Sequence, residues 1–314
     1  MTIYILRRLA QVVPVLLLVS TLVFFVFRII PGDQAVVRLG MGADPQAVRE
    51  LRDVLGLNRP LYIQYLEWLG KAVRGDLGVS IVNKQSVTSL VLQTFPATLE
   101  VAVIGVFLAL LISVPLGIVA ALWRGSWVDH VTRLLALVGF CMPRYWLAIL
   151  LIAVLAVNLR LLPAAGYADL LSAPAENLRY AALPVLSVAL TLAAVQMRFL
   201  RSSMLDVIGQ DFIRTAHAKG LTHHTVVLRH ALKNALIPFV TAVGLEFGAL
   251  LGGLVVVEQI FSWPGVGWLM IQSITHRDYD VVQGAVLLVA TAFIVINLAV
   301  DVVYAYLDPR IRYA

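Results

Sequence analysis

The chain has 314 residues, of which 61% are hydrophobic and only 13% are charged, and its formal net charge is +6. Soluble globular chains carry about 25% charged residues, so this composition excludes a water-soluble domain and predicts an integral membrane protein. The basic residues flank apolar stretches, which favours the positive-inside pattern of membrane proteins over nucleic-acid binding. With one cysteine, Cys141, the chain has no intramolecular disulfide and no cysteine-based zinc site.

The N-terminus combines a basic start with a 22-residue apolar run over residues 9–30. That run is too long for the apolar region of a signal peptide, and no small-residue cleavage site follows it, so we expect an uncleaved first span. Since a membrane-spanning helix needs about 20 apolar residues, the hydropathy pattern predicts an all-α polytopic protein with six transmembrane helices. The six predicted spans are residues 9–30, 97–123, 134–158, 181–200, 236–258 and 281–304.

The distribution of basic residues in the short loops predicts the orientation of the chain. Twelve arginines and lysines lie on the N-terminal side of the predicted spans, against three on the opposite side. This bias places both termini in the cytoplasm. The predicted organisation is a cytoplasmic tail with the first span, an extracytoplasmic partly helical segment, a five-span core and a cytoplasmic tail. These parts cover residues 1–30, 31–95, 96–304 and 305–314, with the longest cytoplasmic loop at 201–235.

The extracytoplasmic segment 31–95 carries signals for two short helices. Asp44 is a candidate N-cap, Pro45 suits the first helical position, and Gly56 can end the first helix. A second helix is expected from about Leu61 to Val73. We expect these helices to form a cap on the membrane surface, a docking surface for an extracytoplasmic partner, or both.

The cytoplasmic loop contains a basic stretch, "QDFIRTAHAKGLTHHTVVLRHALKN", between two apolar spans. A short helix is expected to start near Asp211 and to stop at Gly220, and Thr222 can cap a second helix. Basicity alone would fit a loop attracted to anionic membrane lipid. Two short helices joined at a glycine would instead form a rigid projection.

The residues of this loop also resemble a known family. Arg214, Thr215, Ala216 and Gly220 match the spacing of the "EAA" loop of ABC-importer permeases, and "RHALKNALIP" resembles its continuation in the dipeptide, oligopeptide and nickel permease family. Arg214 stands where glutamate is usual in the general loop, a change typical of the peptide branch. "FRIIPGD", "LGLNRPLYIQYLEWL", "GDLGVS", "PATLEV", "FSWPGVGWLMIQSITHRDYDVVQ" and "LDPRIRY" are similar to the same family across nearly the whole chain.

The resemblance implies a MetI-like permease core in the bacterial inner membrane and a set of partners. They are a homologous second permease subunit, two cytoplasmic ATP-binding subunits and an extracytoplasmic substrate-binding protein. The loop would then contact the ATPases, with Phe212, Ala216 and Gly220 forming one small-to-apolar face and Arg214 and Lys219 meeting acidic groups. The candidate coupling residues are Phe212, Arg214, Thr215, Ala216, Lys219 and Gly220.

The chain lacks the motifs of an enzyme. It has no GxxxxGK(S/T) phosphate loop, no nucleophile elbow and no HExxH sequence. We therefore expect no catalytic residue and no cofactor in this chain, with ATP and magnesium bound by partner subunits. The loop histidines lack acidic or cysteine companions, so no metal site is predicted.

Two groups of residues in the spans are candidate functional positions. Gly244, Gly248 and Gly252 recur every fourth residue, which favours close helix packing. Glu246 lies in the same apolar run, where a charge is costly and usually faces a cavity or a partner. It is a candidate for the translocation path, with a structural ion pair or a protonated packed side chain as alternatives. Arg144, beside Pro143, is its candidate counter-charge or a group that stabilises a kink.

The loop "SWPGVG" between the fifth and sixth spans carries a turn signal. Its residues Trp263, Pro264 and Gly265 are a candidate outer gate, and an ordinary connector is the alternative.

The predicted function is import of di- or oligopeptides driven by ATP in the partner subunits. "MPRYWLAILLI" and "LLPAAGY" resemble nickel permeases at least as much, so nickel or a metal chelate, and also glutathione, remain alternative substrates. A proton-coupled secondary transporter using Glu246 is the alternative from another class, although no second copy of a repeated unit is visible in the sequence.

Overall fold

The computed structural model describes residues 2–29, 34–40 and 42–307. Over these residues the chain is helical, with a single isolated β-bridge between Val79 and Ser86. The all-α prediction is confirmed. Most of the predicted C-terminal tail, residues 308–314, lies outside the described residues.

Short helices follow the first span before the core begins. Helix α1 runs from Thr2 to Ile29, and three short helices come next: α2 (Gln34–Leu39), α3 (Pro45–Val54) and α4 (Leu61–Val73). The Asp44 carboxylate accepts a hydrogen bond from the Gln46 backbone N–H at 3.0 Å, so it caps α3 as predicted. Gly56 has a φ of +66°, a conformation that favours glycine after a helix.

Among the described residues, five helices are long and apolar enough to cross a membrane. Their bounds are Ala10–Ile29 within α1, Val87–Leu122 (α5), Pro174–Ile208 (α8), His223–Gly253 and Tyr279–Val302 within α14 (Tyr279–Leu307). The His223–Gly253 helix consists of α10 (His223–Thr225), a π-helical segment (Val226–Leu232) and α11 (Lys233–Gly253). The predicted fifth span, residues 236–258, extends past the end of this helix at Gly253.

The predicted third span is broken rather than straight. Helix α6 (Trp127–Cys141) and the helix Arg144–Asn158 meet at a bend of 102°. The second part comprises α7 (Arg144–Leu151) and a π-helical segment (Ile152–Asn158). Pro143 disfavours a helical Met142, which adopts an extended conformation with ψ of 119°. The six predicted spans thus correspond to five continuous helices and, for residues 134–158, one bent pair.

Helices α5 and α8 form the centre of the core. They pack along much of their length because glycines on α5 allow close approach: a Cβ at Gly105 would lie 2.9 Å from Val188 Cγ1, and one at Gly117 would lie 3.1 Å from Leu200 Cβ. Helices α6, α11 and α14 surround this pair. After Gly253 the chain makes a corner from α12 (Val255–Phe261) and α13 (Val266–Thr275).

Candidate functional site

The basic loop folds only in part as the sequence predicts: its first helix is short, but the helix that begins at His223 continues to Gly253 and is not a second short helix. Helix α9 begins at Asp211 and ends at Ala218, and Gly220 follows with a φ of +79°. Thr222 occupies the N-cap position of the next helix, but its hydroxyl bonds the Thr225 hydroxyl at 2.9 Å instead of a backbone N–H. The two helical segments are therefore joined at a left-handed glycine, where a side chain would add strain.

One side of α9 is packed against the ends of the long helices. Ile213 and Ala216 are buried in a cluster with residues of α5, α8 and the following helix. The other members of this cluster are Ala121, Leu200, Met204, Val226, Val227, Ala231, Ala235 and Phe239. This burial corrects the prediction that Phe212, Ala216 and Gly220 share one exposed face, because Ala216 points into the protein. The apolar contacts hold α9 firmly on the membrane helices.

The opposite side of α9 is exposed. Phe212 keeps 40% of its surface accessible. The Arg214 guanidinium pairs with the Asp211 carboxylate at 2.6 Å, and the Thr215 hydroxyl donates to the Asp211 carbonyl at 3.0 Å. With the exposed Lys219, these residues form a mixed apolar and basic edge, which we call the α9 edge.

A polar chain crosses the apolar core. The Gln196 amide donates to the Glu246 carboxylate at 3.2 Å and accepts a hydrogen bond from the Ser113 hydroxyl at 3.1 Å. Sequence analysis named Glu246 but missed Gln196 and Ser113, although polar residues inside apolar runs were a visible signal. The chain joins α5, α8 and α11, so it fixes the direction of the Glu246 side chain.

Arg144 and Glu246 line one cavity of about 340 Å³, together with residues at the bend between α6 and α7. Among the described residues, no ion pair within 4.0 Å joins these two side chains. The Arg144 guanidinium instead lies against Gly253, where a Cβ would be 2.7 Å from Arg144 Nη1. The cavity therefore presents a basic and an acidic side chain that do not touch each other.

The loop between the fifth and sixth spans is a tightly packed corner. Trp263 is fully buried, and its indole N–H donates to the Ala97 carbonyl at 2.8 Å. Glu258 is also fully buried; its carboxylate accepts hydrogen bonds from the Thr98 hydroxyl at 2.7 Å and the Trp268 backbone N–H at 3.0 Å. A Cβ at Gly265 would overlap the Glu258 carboxyl group, so only glycine fits there. This packing resembles a connector more than a mobile gate.

The segment "RDYD" before the last span contacts α2 and the loop that precedes α5. The Asp278 carboxylate accepts hydrogen bonds from the Ser80 hydroxyl at 2.6 Å and the Ile81 backbone N–H at 3.0 Å. Asp280 pairs with Arg38 of α2. These contacts join residues that are 198 and 242 positions apart in the sequence. Sequence analysis did not find them.

Two of the three glycines of the fifth span pack against α14. A Cβ at Gly244 would overlap Val300, and one at Gly248 would lie 3.1 Å from the Phe293 ring. A Cβ at Gly252 would meet nothing within 4 Å, so Gly252 has no packing role within the described residues.

The fold and the site define a polytopic helical membrane protein with one short helix, α9, packed against the ends of its long helices. Two family profiles match the chain: the N-terminal part of the binding-protein-dependent transport system membrane component over residues 1–102, and the binding-protein-dependent transport system inner membrane component over residues 113–313. The chain belongs to this family. It is a permease component of a binding-protein-dependent ABC importer and a multi-pass protein of the bacterial inner membrane.

Full-length relatives agree with this assignment. The chain is 42% identical over 310 residues to the proteins named glutathione transport system permease protein GsiC of Escherichia coli strain K12 and of Salmonella typhi, covering 99% of each. Among solved structures, it is similar to a chain of an amino acid ABC transporter crystallised with histidines. That likeness has a TM-score of 0.50 and 17% identity, covers 71% of this chain and 94% of the other, and concerns the fold alone.

Proposed function

We propose that this chain forms half of a translocation pathway for glutathione or a similar short peptide. The 42% identity to glutathione permeases along 99% of the chain carries this proposal. Glutathione, itself a short peptide, was an alternative to the predicted di- or oligopeptide substrate. A homologous second permease subunit completes the pathway, and an extracytoplasmic binding protein delivers the substrate.

The energy for transport comes from partner subunits in this proposal. The chain has no phosphate loop, so two ATPase subunits bind ATP and magnesium and carry out hydrolysis. The α9 edge is their proposed contact because it combines the exposed Phe212 with the basic Lys219. Burial of Ile213 and Ala216 supports transmission of a displacement, since a helix anchored in the core moves with it. This arrangement places the loop and both termini in the cytoplasm.

In this proposal, the cavity lined by Arg144 and Glu246 is the polar part of the translocation pathway. A zwitterionic peptide carries an amino group and a carboxylate, and two separated charges of opposite sign complement both. The candidate gate residues Trp263, Pro264 and Gly265 would then act as a fixed rim at the other end of the path. Their packing favours a static role over opening and closing.

Co-purification with the co-encoded subunits tests the coupling role. We expect the tagged wild-type chain to bring down two ATPases and a second permease. Phe212→Ala combined with Lys219→Glu should release the ATPases and retain the second permease, because both changes alter only the exposed α9 edge. Arg49→Glu, an exposed charge reversal on α3, serves as the control and should retain every subunit.

Transport in proteoliposomes tests the substrate. With ATP, the binding protein and all subunits present, labelled glutathione should accumulate, while nickel should not. Uptake by this chain without ATPases or ATP would show a secondary transporter and would overturn the proposal.

A further inference from the structure

A basic cavity of about 370 Å³ lies between α6 and α8, apart from the α9 edge and the Arg144–Glu246 cavity. It is lined by Ala120, Thr132, Arg133, Ala136, Leu137, Met197, Arg198 and Arg201. It lies at the end of the bundle that carries α9, since Ala121 and Leu200, next to its lining residues, belong to the cluster that buries α9. The proposed ATPase contact and the proposed translocation pathway do not include this cavity.

The cavity has an excess of positive charge. Arg201 makes two hydrogen bonds to the Asp129 carboxylate, at 2.7 and 2.9 Å, and that carboxylate also accepts from the Gly125 N–H at 3.0 Å. Arg133 stands 3.6 Å from the same carboxylate, with half of its side chain exposed. Two arginines, Arg133 and Arg201, therefore share one acidic group whose oxygens are already occupied, and Arg198 adds a third positive charge to the cavity.

Arg198 has no acidic partner within 4.0 Å among the described residues. Its guanidinium lies 4.7 Å from the centre of the Phe140 ring, which leaves the N–H groups at its edge able to bind an anion. Arg133 and Arg198 thus provide two guanidinium groups on neighbouring helices, and carboxylates do not fully neutralise their positive charge. A phosphate is a suitable ligand, because its oxygens accept several N–H donors at once.

The rest of the cavity wall is apolar and continues onto an exposed surface. Ala136, Leu137 and Met197 line it, and Leu137 is 55% exposed. Leu134 and Val138, on the same helix, are 60% and 41% exposed. In a membrane protein, an exposed apolar helix surface faces hydrocarbon chains or another helix, so an anion at this place would sit beside the acyl region.

We propose that this cavity binds an anionic membrane phospholipid, with its phosphate between Arg133 and Arg198 and an acyl chain along Leu137. Basic cavities between membrane helices recognise lipid head groups in this way. A free phosphate would satisfy the arginines but would leave the apolar wall uncovered. The proposal depends on the membrane location of the chain and not on the identity of its transported substrate.

Lipid retention tests the proposal on the complete transporter complex. The complex is placed in nanodiscs of equimolar phosphatidylcholine and phosphatidylglycerol, released, and analysed by native mass spectrometry. We expect the wild type to retain phosphatidylglycerol in preference to phosphatidylcholine. Arg133→Gln and Arg198→Gln should each lower this retention about fivefold, since one basic residue near a membrane surface contributes about 1 kcal/mol.

Three further variants distinguish the effects of side-chain charge, of cavity volume and of removing any exposed arginine on lipid retention. Arg198→Lys should keep most of the retention, and Leu137→Trp should lower it by filling the cavity. Arg124→Gln removes an exposed arginine outside the cavity and should leave retention unchanged. Equal retention in the wild type and both glutamine variants would overturn the proposal.

Two other outcomes would also overturn it. Displacement of phosphatidylglycerol by inorganic phosphate would show a site for a soluble anion. Absence of bound lipid from the intact complex would show that a protein partner covers the cavity.

Discussion

Glu258 is fully buried, yet its carboxylate has hydrogen-bond donors on two other parts of the chain. The Thr98 hydroxyl belongs to α5 and the Trp268 N–H lies in the first turn of α13. A carboxylate at that position complements the positive end of a helix, so Glu258 caps α13 from inside the protein.

We predict that Glu258→Ala destabilises the protein by about 2–4 kcal/mol, because Thr98 and Trp268 lose a charged acceptor and a cavity forms. Thermal unfolding of the detergent-solubilised chain, followed by size-exclusion chromatography, measures this change. Glu176→Ala is the control, since Glu176 is exposed, and it should shift stability by less than about 0.5 kcal/mol. An unchanged unfolding midpoint for Glu258→Ala would contradict the capping role.

The proposed translocation pathway depends on Glu246. Glu246→Gln preserves size and the bond with Gln196 while removing the charge, so we expect the complex to assemble normally. Uptake should fall about tenfold, which corresponds to about 1.4 kcal/mol. The test is uptake of labelled glutathione in proteoliposomes, with subunit composition checked in parallel. Normal uptake by this variant would remove Glu246 from the path.

At the scale of elements, the packing of α11 on α14 depends on individual glycines. Gly244 and Gly248 allow α14 to approach α11, whereas Gly252 faces open space on the same helix. The regular spacing in the sequence does not distinguish these positions. Their roles differ because α14 crosses α11 beside Gly244 and Gly248 and not beside Gly252.

Gly244→Ala should therefore lower stability by about 1–3 kcal/mol, because the new methyl group overlaps Val300. Gly252→Ala provides a matched control in the same helix and should be neutral for folding, since no atom lies within 4 Å of the new Cβ. The two variants are compared by expression level and thermal unfolding in detergent. Equal destabilisation would show that the α11–α14 contact is not the cause.

At the scale of the whole molecule, the proposed orientation places α3 and α9 on opposite sides of the membrane. Val54, at the end of α3, is 82% exposed, and Lys219 is exposed after α9. Both positions are accessible enough to report their side by chemical labelling. The only native thiol, Cys141, is exposed and is first replaced by serine.

In that background, Val54→Cys should react with a membrane-impermeant maleimide added to spheroplasts. Lys219→Cys should react only after the membrane is permeabilised, because the basic loop remains in the cytoplasm. Mass shift of the labelled chain measures the reaction. The reverse pattern would invert the proposed topology and remove the α9 edge from contact with ATPases.

The sequence by itself determined which stretches are helical and apolar enough to cross the membrane. A helix satisfies its backbone hydrogen bonds within one segment, so a local apolar run contains the necessary information. The cap at Asp44 and the stop at Gly220 are local for the same reason. These features were predicted without any knowledge of neighbouring helices.

Only the tertiary structure decided which way the helices turn and which distant groups meet. It buried Ala216 while exposing Phe212, and it joined Glu258 to Thr98 across 160 residues. Pro143 marked a possible break, but the 102° angle depends on how both halves pack. The rotation of a helix about its axis is set by contacts with its neighbours, and these contacts are not encoded within any single run of residues.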